Sequence, residues 1–129
     1  MSLGPLEREI LDIVWDLGSA TVKQVHERIL ADPDRELSPP SVTTVLNRLH
    51  RKGWLSCDRG GRAYVWKPRI SRTQARALEA REHLNQFLAL GNPDIVAAFA
   101  SDLDSASLDR LTAIAQRLKA LREARSEEE

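Results

Sequence analysis

The stretch S38-P-P-S-V-T-T-V-L-N-R-L-H-R-K-G-W54 places two prolines ahead of apolar residues at helical spacing. Ser38 suits an N-cap, and Pro39 fits the first helical position, where its missing N–H is no loss. Pro40 also falls in the first turn, whose amides have no intrahelical partner. The prolines therefore start a helix, and Gly53 ends it. Val42, Val45, Leu46 and Leu49 form its apolar side. At about 100° per residue, the opposite side carries Pro40, Thr44, Asn47 and Arg51, flanked by Thr43 and Arg48. That outward side hydrogen-bonds, is basic and lacks any acid.

Upstream, G4-PLEREILDIVWDL-G18 has Pro5 and Gly18 at the positions of a helix start and stop. Leu6, Ile10, Ile13, Val14 and Leu17 share one helical side. In S19-ATVKQVHERIL30, Thr21 precedes Gln24 by a capping-box interval, and Val22, Val25, Ile29 and Leu30 make the inner stripe. The polar segment from Ala31 to Glu36 reads as a loop. Downstream the period changes. Trp54–Asp58 and Arg62–Trp66 are β-prone and separated by Gly60-Gly61, a hairpin signal whose tip is bracketed by Arg59 and Arg62. Three helices and a basic-tipped hairpin give the order of a winged helix-turn-helix. The fold expectation is therefore mainly α with a small antiparallel β wing.

Net charge is zero over 129 residues, but its distribution is uneven. Residues 1–37 sum to −4 and residues 73–129 to −3. Between them, residues 38–72 carry eight basic side chains against Asp58 alone, a net of +7. A basic island of this kind is what contact with a polyanion needs, although charge alone also fits a solvated face. Combined with the element order, it places the proline-led helix in the major groove of duplex DNA. Arg48, Arg51 and Lys52 then lie near phosphates, and the wing arginines reach along the backbone or into a narrow minor groove. Winged helices also serve as protein-interaction modules, and that reading stands beside the first.

The remaining third is helical. Ser71 and Gln74 repeat the capping-box interval before a helix ending near Gly91, in which Leu84, Phe87 and Leu88 supply apolar residues. Asn92-Pro93 opens a second helix with Ile95, Val96, Phe99 and Leu103. A third repeats Leu111, Ile114, Leu118 and Leu121 at three-and-four spacing, one turn after Leu108. The final Ser-Glu-Glu-Glu reads as a frayed tail. Such stripes need covering, either by the N-terminal domain or by a second copy of the chain, the latter favoured because twofold dimers dominate oligomers. The expected division is a reading domain over residues 1–70 and a dimerisation region over 71–129.

Other chemistry finds little support. His26, His50 and His83 fall on separate helices without metal-ligand spacing, and no Gly-rich phosphate loop or nucleophile elbow is present. We expect neither catalysis nor a cofactor. Cys57 stands alone in a strand, where a half-buried inert thiol is the default. Trp15, Trp54, Tyr64 and Trp66 read as core and wing packing. The absence of a roughly 18-residue apolar run and of a secretion-signal layout, with one cysteine, suggests a cytoplasmic setting.

The segments from Leu3 to Leu30, S41-VTTVLNRLHRKGWL55 and R59-GGRAYVWKPRISR72, with the helical tail, resemble the penicillinase-repressor family of BlaI/MecI/CopY type. The resemblance implies a homodimeric repressor on a dyad operator, reading DNA through the positions of Pro40, Ser41, Thr43 and Thr44. Pro40 cannot donate as a Lys or Thr would, and Thr43 replaces a longer side chain. In β-lactam-responsive relatives a membrane sensor-protease leads to cleavage at an Asn-Phe bond. The matching pair is Ala98-Phe99, which lacks the Asn. Copper-responsive relatives carry tail cysteines, and this tail has none.

Overall fold

The computed structural model describes residues 3–128. Its elements run α1 (Pro5–Leu17), α2 (Val22–Ile29), α3 (Pro39–Arg51), β1 (Leu55–Asp58), β2 (Val65–Pro68), α4 (Arg72–Leu90), α5 (Pro93–Asp102) and α6 (Ser105–Glu128). This is a winged helix-turn-helix followed by a helical region.

Local chemistry explains the ends of the first three helices. Glu7 Oε1 accepts from the Gly4 amide at 3.0 Å at the start of α1. Thr21 and Gln24 exchange backbone-to-side-chain bonds at 3.2 and 2.9 Å at the start of α2. Ser38 Oγ accepts from the Ser41 amide at 3.3 Å at the start of α3. Gly53, at φ 87°, ends α3 in a Schellman turn. Its amide donates to His50 O at 3.0 Å, while the Trp54 amide donates to Leu49 O, also at 3.0 Å.

The core joins Ile10, Leu11 and Val14 of α1 to Val25 of α2, Val42, Leu46 and Leu49 of α3, and Leu55 and Trp66 of the hairpin. Two expected inner residues lie outside it: Leu17 and Leu30 are 39% and 38% exposed. The buried side of α1 carries Glu7, Ile10, Leu11, Ile13 and Val14; Leu17 shares that side but is the last residue of the helix. Leu30 is the C-cap of α2, beyond its last full turn.

The wing also departs from expectation. The second strand begins at Val65 rather than Arg62, and residues 59–64 form the loop. Register is set by Trp66, which pairs with Cys57 and is 1% exposed. On its other side Trp66 exchanges both backbone bonds with Ala20, at 2.9 and 2.8 Å. That bridge gives β2 a second neighbour, and a slip of one residue would turn the indole to solvent.

Two compact units are resolved, one through His83 and one from Leu84 onward. In the second, Asn92 caps α5 through the Ile95 amide at 3.0 Å, and Asp104 caps α6 through the Ser107 amide at 2.7 Å. The Phe87 and Phe99 rings meet at 5.3 Å. No residue of α5 or described residue of α6 is buried. Ser126, Glu127 and Glu128 belong to the last turn of α6; Glu129 lies outside the described residues. Among the described residues no helix is long and apolar enough to cross a membrane.

Candidate nucleic-acid interface

The two prolines turn the first turn of α3 outward: Pro39 and Pro40 are exposed, and Ser41 is half-buried with its hydroxyl 2.8 Å from that of Ser38. Thr43 and Thr44 follow on the same side. Their hydroxyls donate back to Pro39 O at 3.2 Å and Pro40 O at 3.0 Å. Proline removes an amide from the chain, not a carbonyl, so these first-turn oxygens are available as acceptors. The bonds commit the hydroxyl hydrogens to the helix. What remains toward solvent is the lone pairs and the methyl groups.

Asn47 is half-buried, whereas Arg48 and Arg51 are exposed. Lys52 differs from its neighbours. Its Nζ lies 3.0 Å from Glu7 Oε1 and 2.9 Å from Oε2. Glu7 is 6% exposed, the one buried acid among the described residues. Burial pushes its carboxyl up, but the Gly4 amide, Lys52 and the field of Arg48 outweigh that and hold it below the usual range. Lys52 thus spends its charge on α1. No spacing pointed to this pairing, because Glu7 looks like an ordinary acidic residue in a first helical turn.

In the wing, Arg59 and Arg62 are exposed in the loop between the strands. The Arg59 guanidinium stands 5.2 Å from the centre of the Tyr64 ring. Tyr64 is itself 50% exposed, so it is a platform for Arg59 rather than the packed residue that its apolar neighbours suggested. Asp58 turns back to accept from the Gly60 amide at 2.9 Å. Its charge is thereby held at the base of the loop.

His26 is a second residue whose contact was not legible. Its Nε2 donates to Leu37 O at 2.7 Å, joining α2 to the residue before the Ser38 cap. His50 lies edge-on to Trp66 at 6.2 Å. Cys57 is half-buried in β1. No group of three His, Cys, Asp or Glu among the described residues has the geometry to hold a metal ion.

The residues expected to contact DNA therefore divide. Pro40, Thr44, Arg48, Arg51, Arg59 and Arg62 are exposed; Ser41, Thr43 and Asn47 are half-buried; Lys52 is ion-paired. The ten residues assigned to dimerisation (Leu84, Phe87, Leu88, Ile95, Val96, Phe99, Leu111, Ile114, Leu118 and Leu121) are 37–62% exposed.

The profile of the Penicillinase repressor family matches residues 3–120. The chain belongs to the penicillinase repressor family. The Penicillinase repressor of Bacillus licheniformis is 27% identical over 81 residues, covering 63% of this chain and 62% of that protein. The Transcriptional regulator BlaI of Mycobacterium tuberculosis is 40% identical over 67 residues, covering 51% of this chain and 47% of its own length. The chain thus spans about half to three-fifths of the curated relatives it matches. Among solved structures, the DNA-binding domain of the repressor BlaI is 26% identical with a TM-score of 0.49, covering 57% of this chain and 87% of that one. The hsRosR-S4 complex structure shares the fold over 93% of both chains, at 15% identity and a TM-score of 0.53.

Proposed function

We propose that this penicillinase-repressor family member is a homodimeric transcriptional repressor that binds a dyad DNA operator. Residues 1–70 read DNA and residues 71–129 assemble the dimer. The reading is carried by one observation: the exposed side of α3 is free of acids and lies within the segment matched by the family.

On this reading α3 enters the major groove. Arg48 and Arg51 neutralise phosphates, with Arg59 and Arg62 of the wing adding backbone contacts. The back-bonded hydroxyls of Thr43 and Thr44 present acceptors and methyls, which favours cytosine or adenine amino groups and the thymine methyl as their targets. Pro40 offers ring surface but no donor. Lys52 contributes through the position of α3 and not through a phosphate.

The wide exposure of the apolar residues in α5 and α6 supports assembly with a second copy. α5, at 10 residues, is marginal alone, and the uncovered apolar residues of both helices call for a partner surface. Relief of repression by cleavage at Ala98-Phe99 is disfavoured, because the Asn is missing and the bond lies inside α5.

Selecting bound duplexes from genomic fragments with the purified protein tests the proposal. Enrichment of an inverted repeat is expected. Recovery of unselected sequence at every salt concentration would contradict it.

A further inference from the structure

The connection from β2 to α4 is short, Arg69 to Ser71, and it is fixed on several sides. The Arg69 amide donates to Trp54 O at 2.9 Å. The indole Nε1 of Trp15, on α1, donates to Ile70 O at 2.8 Å. Ser71 and Gln74 then close a capping box at 3.1 and 3.0 Å.

The first residue of α4, Arg72, reaches back across this joint. Its Nη2 donates to Asp16 Oδ1 at 2.8 Å and to Asp12 O at 3.0 Å, while Nε lies 3.4 Å from Asp12 Oδ1. The guanidinium also stands 5.5 Å from the centre of the Trp15 ring. All these groups sit in the last part of α1, which has no basic residue in its final turn. Arg72 supplies from outside the cation that this negative helix end favours. One turn on, Ala75 is 1% exposed, and Arg8 Nη1 meets Glu79 Oε2 at 3.0 Å. Beyond these contacts α4 continues unbroken to Leu90.

A single exposed ion pair would mean little. Here one planar group engages two acidic residues and an aromatic ring, with an independent indole bond beside it. That geometry needs the fork of an arginine. It restrains the residues through which the reading unit is joined to the helices that follow.

We propose that Arg72, seated on Trp15 and forked onto Asp12 and Asp16, locks the start of α4 to α1 and so determines which half-site spacing a dimer of this chain accepts. The inference rests on the dimer reading above. Arg72 touches no DNA; it is a positioning residue, with Asp16 and Trp15 as its seat. Linking two reading heads raises affinity only when the link lets both engage together, and a stiff link rejects spacings that a loose one tolerates.

The test compares wild type, Asp16→Asn and Arg72→Met. Probes are a single half-site duplex, the full dyad taken from the wild-type selection, and the same dyad lengthened by an inserted spacer. Sedimentation should show all three proteins as dimers, and half-site affinity should stay within about twofold because no reading residue is changed. The wild-type preference for the dyad over the lengthened dyad should fall at least about fivefold in both variants, as the link loosens. Unchanged spacing preference in both variants overturns the lock. If Arg72→Met loses half-site binding, it has damaged the reading unit, and Asp16→Asn alone decides. A monomeric wild type would appear in sedimentation before any DNA is added; it would overturn the dimer reading and the lock together.

Discussion

Lys52, the C-cap of α3, holds Glu7 of α1 at 2.9 and 3.0 Å. The pair ties the end of α3 to the first turn of α1 across the core. Lys52→Met leaves an almost buried carboxylate without its nearest counter-charge. We predict a loss of about 1–3 kcal/mol in urea unfolding, between the ranges for exposed and buried pairs. Glu7→Gln should cost less, since an amide needs no counter-charge.

The same pair predicts a pH dependence. The folded-state pKa of Glu7 is depressed below its ordinary value of 4.5, so the unfolded chain takes up its proton first as pH falls. The stabilisation is complete above pH 4.5 and is lost as pH drops through the lower folded value. Unfolding curves for wild type and Lys52→Met should therefore converge under acid. A gap that stayed constant down the acid range would show that the pair does not act through charge.

Much of this fold is written locally. Ser38, Pro39 and Gly53 announce the ends of α3 because capping and positive φ are decided within a few residues. The capping boxes at Thr21 and Ser71 are legible for the same reason. The start of β2 is not, because Trp66 takes its register from Ala20, distant in sequence. Glu7, Tyr64 and His26 escaped for a related cause: their roles depend on Lys52, Arg59 and Leu37, which sequence spacing does not single out. Leu17 and Leu30 misled because an apolar residue at a helix end matches the stripe without reaching the core.

The start of α3 is a second place to test. Ser38→Ala removes the acceptor for the Ser41 amide and should cost about 1 kcal/mol. Gly53→Ala forces a side chain into φ 87° at the other end and should cost about 1–2 kcal/mol. Thermal unfolding of both variants checks this. Equal stability to wild type would remove the capping account of why this helix starts and stops where it does.

For assembly, Leu118→Asp places a charge on the exposed apolar row of α6. We predict monomers by sedimentation, with the advantage of a dyad over a half-site abolished and half-site binding retained. A variant that stayed dimeric would put the interface elsewhere than Leu111, Ile114, Leu118 and Leu121.

The most direct measurement is the salt dependence of binding to the selected duplex for wild type, Arg51→Ala and Thr44→Ala. Each lost phosphate contact should reduce the log–log slope by about 0.9, so Arg51→Ala should bind more weakly with a shallower slope. Thr44→Ala should keep the wild-type slope while the gap between the selected duplex and a scrambled one narrows by about 0.5–1.5 kcal/mol, the worth of a single hydrogen bond. Wild-type slope in the first variant together with wild-type sequence preference in the second would contradict the placement of α3 on DNA.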